Sequence, residues 1–268
     1  MQIGVSTSCF YPMETMQALS VLQQANIGTA EIFLNTFSEL SSEYLEKMRG
    51  QIKQGSTRIC SLHPFTSGME TFFFASMYPQ RLEDGLKLYR QYFSLCREFS
   101  IPRVVFHGDY VQTPYSFAKH CENFARLRDT AREYGVELCQ ENVVRCKCGT
   151  PKYIRKMREI LQDDVHFVLD VKQLRRSGVQ FSEMLDAMGG TVDHVHLSDE
   201  TPLCDCAVPG TGTFDFSALF DALLRQGFTG DMVVELYRGD FTDVEQLQNA
   251  ARHLQNLYEM RQNAAAST

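Results

Sequence analysis

No stretch of this chain is apolar for long enough to cross a bilayer, which needs about 18–20 consecutive apolar residues as a helix. The chain also lacks a block of lysines and arginines. Its densest basic run, Lys147 to Arg158, is broken by apolar and acidic residues and reads as one face of a helix. With a net charge of −7 and a pI near 5.5, the protein would meet repulsion at nucleic acid or an anionic membrane. The opening stretch, MQIGVSTSCF, has neither a basic head nor a long apolar segment and reads as a strand rather than a leader. The cysteines number nine, an odd count, and several lie inside apolar patterns, so reduced thiols and a cytoplasmic location are expected. No GxGxxG follows the first strand, which weakens a dinucleotide-binding reading. No linker or shift in composition divides the chain, and residues 1–268 are expected to form one domain. The closing NAAAST reads as a frayed tail.

What is present is alternation. Eight short runs rich in Val, Ile, Phe and Leu read as strands: Ile3–Thr7, Ala30–Leu34, Arg58–His63, Arg103–His107, Val136–Glu141, Val165–Asp170, Val192–Leu197 and Met232–Leu236. Between them the apolar residues recur at helical spacing. Ser41 or Ser42 is placed to cap the second helix, and Asp215 the seventh. Regular strand–helix alternation implies parallel strands with crossover helices, and eight units in this length fit a (β/α)8 TIM barrel. In that fold the active site lies at the C-terminal ends of the strands.

Those ends carry chemistry. His63, His107, Glu141, Asp170, His196 and Glu235 close six of the eight runs. Strand side chains alternate faces. In HVHLSD, Val195 and Leu197 point to the helices while His194 and His196 point into the barrel. The same parity turns Val105 and His107, Cys139 and Glu141, Val168 and Asp170, and Val233 and Glu235 inward. Carboxylates gathered so closely in a low dielectric would protonate unless a cation lay between them. A set of three carboxylates and one imidazole favours Mn²⁺ or Mg²⁺ and accepts Zn²⁺ or Co²⁺. His194, deeper in the barrel, and His166 read as structural.

The series Glu141-Asn142, Asp170, HVHLSD, VPGTGTFDF and GDMVVELY resembles, in order and spacing, the xylose isomerase-like TIM-barrel superfamily of sugar phosphate isomerases and epimerases. The resemblance implies one divalent ion held by Glu141, Asp170, His196 and Glu235. It matches His63 and His107 to the histidines after the third and fourth strands. Relatives often carry Asp-x-x-His on the sixth strand. Here the stretch is DVKQ, with Lys172 and Gln173 where the pattern ends. That departure argues against a multi-zinc centre.

The fitting chemistry is proton transfer beside a carbonyl through a metal-stabilised ene-diolate, and the resemblance implies Glu141 and Glu235 as the catalytic pair on opposite sides of the carbon. Substrate contacts are expected from His63, His107, Lys172, Gln173, Arg145 and Arg238. The partner is a small carbohydrate, phosphorylated or not. An inosose-type dehydratase shares the first step. An apurinic-endonuclease-like phosphodiesterase and a degenerate barrel that only binds are the remaining readings. Several loop features stay open. GTGT before Asp215 is a plain turn or a phosphate cradle. Cys146/Cys148 and Cys204/Cys206 are unpartnered thiols or a four-thiolate zinc site. The aromatic loop Phe65–Tyr78 is a lid or the interface of a homo-oligomer.

Overall fold

A computed structural model describes residues 2–266; Met1, Ser267 and Thr268 lie outside it. Eight strands close into a barrel: β1 (Ile3–Ser6), β2 (Thr29–Phe33), β3 (Arg58–His63), β4 (Arg103–Phe106), β5 (Glu137–Glu141), β6 (His166–Asp170), β7 (Val192–Leu197) and β10 (Asp231–Val234). Every neighbouring pair is parallel, including β1 with β10, which closes the ring. A small antiparallel pair, β8 (Asp199–Thr201) with β9 (Cys204–Ala207), stands apart on the loop after β7.

The helices are α1 (Thr15–Gln24), α2 (Ser42–Gln54), α3 (Glu70–Phe74), α4 (Pro79–Phe99), α5 (Phe117–Arg132), α6 (Pro151–Leu161), α7 (Val171–Ser177), α8 (Phe181–Met188), α9 (Phe216–Arg225) and α10 (Val244–Ala266). Ser41 accepts from the Tyr44 amide at the start of α2, and Asp215 from that of Ala218 at the start of α9, as the capping pattern anticipates. Two helices have no counterpart in the periodicity, α3 and α7; at five and seven residues they are too short to show a repeating apolar face. The expected frayed end is helical through Ala266, because α10 continues to that residue; its last two residues fall outside the description.

The apolar core lies between barrel and helices, while the barrel's interior is layered and largely polar. Val105, Cys139 and Val168 form a separate apolar layer inside it, on the parity the strand pattern assigns. Towards the N-terminal end, the guanidinium of Arg103 meets Asp231 at 2.6 Å and Asp193 at 3.2 Å. Arg58 also binds Asp231. Removing one partner from such a buried set costs about 3–5 kcal/mol, so this layer closes the barrel's floor firmly. A register shift at Ala30/Glu31 brings Glu31 level with Ser61 on β3. A second shift at Phe167/Val168 brings Asp170 level with His196. The two irregularities therefore set which side chains share the upper layers.

The aromatic loop is neither open nor wholly apolar in its contacts. Phe73 and Phe74 are buried, with Phe74 edge-on to Tyr89 and Phe106, while Phe72 is 47% exposed beneath the guanidinium of Arg81. Successive residues of so short a helix cannot all face the core, which is why the three rings divide. All nine cysteines are free, and no helix of the described residues is long and apolar enough to cross a membrane.

Candidate metal centre and its cavity

β5 delivers Glu141 and β6 delivers Asp170 into the mouth of the barrel, and Asn142 locks the two strand ends together. Its amide oxygen accepts from the Asp170 backbone N–H at 2.7 Å, and its amide nitrogen donates to the Asp170 carbonyl at 3.1 Å. Asp170 then begins α7. One carboxylate oxygen, Oδ1, accepts from the Gln173 amide at 3.0 Å as the helix cap. The other, Oδ2, is buried and has no hydrogen-bond partner. A single side chain thus ends a strand, starts a helix and keeps one oxygen for the cavity.

His196 is oriented from below. Its Nε2 lies 3.2 Å from Oε2 of Glu31, which is fully buried on β2. That leaves Nδ1 facing Glu235 at 3.5 Å, Asp170 at 3.8 Å and Glu141 at 3.9 Å, again without a hydrogen bond. Burial disfavours the charged ring, but Glu31 and Glu235 outweigh it and hold the imidazole's pKa well above the usual range. Glu31 itself is bound by Ser6 at 2.9 Å and Ser61 at 2.8 Å. Nothing in the apolar run that contains Glu31 singles it out as functional. An acid inside a strand pattern is the only signal, and it is a weak one.

The residues fit a divalent ion. Glu141, Asp170 and His196 each offer a ligand atom within 4.8 Å of the others'. Asp170 Oδ2 and His196 Nδ1 are buried and unsatisfied, and Glu141 Oε2 meets only the ring nitrogens of His107 and His63. Unsatisfied buried groups cost about 1–3 kcal/mol each, more when charged, and a cation among them removes that cost. Hard oxygens plus one imidazole match the metals named from the sequence. Glu235, just past β10, stands beside this triad but is engaged by Lys172, whose Nζ is 2.9 Å from its Oε2.

His63 and His107 converge on Glu141. His107 Nε2 lies 2.9 Å from Glu141 Oε2 and 3.0 Å from His63 Nε2, and His63 stacks on Phe33 at 4.5 Å. Burial raises the Glu141 carboxyl, but the imidazole of His107 more than offsets this and brings it well below the ordinary range. Burial likewise acts against ionisation of Glu235, and Lys172 followed by His196 outweighs it.

The cavity over these groups has a volume of about 270 Å³ and takes Arg145, Gln173 and Arg176 into its wall. A second cavity of about 310 Å³, walled by Tyr11, Leu236 and Asn35, shares Phe33, Lys172, Glu235 and Tyr237 with it. Gln173 keeps its side-chain oxygen on the Val144 amide at 3.1 Å. Arg176, which the sequence pattern did not single out, is pinned by Asp205 and Tyr237 at 2.6 and 2.8 Å. Arg238 is not brought to the cavity: its guanidinium turns to the Phe241 carbonyl at 3.0 Å and lies over that ring. The next turn of chain is a short 3-10 segment, which carries Arg238 away from the mouth.

Two loop readings resolve as the plainer of each pair. In PGTGT the amides of Gly210 and Gly212 both donate to Asp199 at 2.9 Å, so they are spent within the loop rather than presented to phosphate. Cys148 contacts Met157, Cys146 the Gly108 carbonyl and Cys206 the Glu235 carbonyl. No thiol joins a metal-type cluster among the described residues. His194 bridges the Asp231 carbonyl at 2.8 Å and Ser61 at 3.1 Å, and its Nε2 lies 3.4 Å from Glu31 Oε2.

Beyond this geometry, the sequence model of the xylose isomerase-like TIM barrel matches residues 19–257. The chain belongs to that family. This xylose isomerase-like barrel is 30% identical over 154 residues to the inosose dehydratase of Histophilus somni (strain 129Pt); the match covers 50% of the chain and 52% of that relative. The chain therefore spans about half the length of the curated relative it matches. A solved L-ribulose 3-epimerase superposes with a TM-score of 0.77 at 18% identity, covering 99% of this chain and 97% of that one. A xylose isomerase-like TIM barrel protein from Mycobacterium smegmatis, solved in complex with magnesium, gives 0.76 at 15% identity, with 97% of each chain covered. At such identities the structural likeness is one of fold.

Proposed function

We propose that this barrel is a divalent-metal-dependent isomerase or epimerase of a sugar or sugar phosphate, working by proton transfer beside a carbonyl. The observation that carries the proposal is the pair of carboxylates, Glu141 buried and Glu235 partly so, each with its own cationic or proton-bearing neighbour. Glu141 has the His107–His63 pair, and Glu235 has Lys172. Glu141, Asp170, His196 and Glu235 would hold the ion. When bound, a divalent metal supplies Lewis-acid polarisation of the substrate's carbonyl and hydroxyl oxygens and offsets the charge that builds on them.

Within that frame the chain's own groups move the proton. One of the two carboxylates accepts it from the carbon next to the carbonyl. The other returns a proton to the opposite face for epimerisation, or to the neighbouring carbon for isomerisation. His107, 2.9 Å from Glu141, can resupply it, with His63 as the next nitrogen. Arg145, Lys172, Gln173 and Arg176 orient the rest of a polar substrate.

The likeness to an inosose dehydratase supports a second reading, in which the same abstraction is followed by loss of water. Ketoses, their phosphates and inososes incubated in D₂O with each metal separate the two. Deuterium at the carbon beside the carbonyl with the carbon skeleton and hydroxyls intact supports isomerase or epimerase chemistry. Loss of a hydroxyl supports the dehydratase. Conversion of a sugar without any exchange overturns the proton-transfer reading.

A further inference from the structure

Lys172 occupies an unusual place. It is the second residue of α7, at the helix end whose exposed N–H groups disfavour a cation. It is also 6% exposed. A charged ammonium taken out of water at the wrong end of a helix needs nearby anions. It finds Glu235 Oε2 at 2.9 Å and Asp170 Oδ2 at 3.6 Å, and lies 4.9 Å from the centre of the Tyr237 ring. These are the two oxygens that also face His196 Nδ1, at 3.5 and 3.8 Å. Asp170 Oδ2, a member of the metal-type triad, and Glu235 Oε2 beside it are therefore oxygens the ammonium already faces.

We propose that Lys172 is a built-in competitor of the metal, and that it couples metal binding to the binding of an anionic ligand. The inference rests on the metal-dependent reading of the site. In the metal-free protein the ammonium neutralises Asp170 and Glu235. A divalent ion held by the same carboxylates repels it and weakens its hold on both. The displaced ammonium borders the cavity, since Lys172 forms part of its wall. An anionic oxygen of a bound ligand, whether carboxylate, phosphate or enolate-like, then restores its counter-charge. By reciprocity, an anionic ligand tightens the metal and the metal tightens the ligand. A purely structural salt bridge is a poorer account, because it would leave Asp170 Oδ2 buried with no hydrogen bond, as it now is.

The test is a calorimetric Mn²⁺ titration of the whole metal-stripped chain and of Lys172→Met and Lys172→Arg, each first checked for a cooperative thermal transition. Lys172→Gln takes the place of the methionine variant should that one fail to fold. Lys172→Met is expected to bind Mn²⁺ at least about tenfold more tightly, and Lys172→Arg to stay close to the parent protein. Repeating the titrations with glycolate, an anionic hydroxy acid, and with neutral ethylene glycol reads the coupling. Glycolate should tighten Mn²⁺ more in the parent protein than in Lys172→Met, and ethylene glycol should not discriminate. Equal or weaker Mn²⁺ binding by Lys172→Met overturns the competition. Equal tightening by glycolate in both proteins overturns the coupling. A parent protein that binds no Mn²⁺ beside a methionine variant that binds one upholds the competition while overturning the metal-dependent function. Absence of binding in both overturns the two together.

Discussion

Glu31 Oε2 and His196 Nε2 face each other across the barrel's interior at 3.2 Å, from strands three places apart in the ring. The carboxylate anchors Nε2 and so turns Nδ1 towards Asp170, Glu141 and Glu235. Glu31→Gln keeps the shape and removes the charge. Metal affinity is expected to fall about 10–100-fold, as for other partners of a metal-bound histidine. A metal titration that matches the parent protein would leave Glu31 with a packing role only.

The residues proposed as direct ligands should behave differently. His196→Ala or Glu235→Gln should lower the metal bound per chain sharply while the barrel persists, because the floor of Arg103, Asp193 and Asp231 and the apolar layer lie below the site. Metal analysis of the dialysed protein together with far-UV circular dichroism checks both halves. Unchanged stoichiometry in both variants would refute the ligand set.

Glu70, on the short helix α3, holds the loop after β4 in place. One oxygen accepts from the backbone amides of His107 and Gly108 at 2.7 and 2.6 Å, and the other from the Tyr89 hydroxyl. Glu70→Ala strands two buried N–H groups and should cost about 2–5 kcal/mol in denaturant unfolding. Glu70→Gln can still accept from both amides and donate to Tyr89, and is expected to recover most of the loss. An alanine variant as stable as the parent would refute this.

His120 supplies a pH dependence away from the site. It is buried between the rings of Phe106 and Phe117, and burial holds its pKa down to about 4 from the ordinary 6.5. The unfolded chain takes up a proton near 6.5, whereas the folded chain resists until about 4. Its contribution to stability is therefore complete above 6.5 and is lost as pH falls towards 4, about 3 kcal/mol in all. In His120→Leu the fall in unfolding free energy across that window should be correspondingly shallower. An identical pH profile would assign the loss to other groups.

The alternation of runs determined the barrel. Strand parity and the acids and imidazoles at strand ends determined which face carries the site, because a period of two and a closed parallel sheet leave little freedom in where inward residues gather. That parity alone makes Glu141, Asp170 and His196 neighbours, as they are in the folded chain. Other features were decided only by the folded chain. Glu31 reaches His196 from β2 where the β2–β3 pairing shifts register past Cys60, and Asn142 clamps Asp170 through backbone contacts that no residue pattern encodes. Strand parity carries Lys172 inward with Asp170 only while the strand continues. Instead the strand stops at Asp170, α7 begins at once, and the ammonium is buried all the same. Arg238 went the other way, carried off by a short turn. The backbone path just past a strand end depends on caps and loop contacts rather than on periodicity, so the tertiary structure alone determined which long side chains return to the cavity.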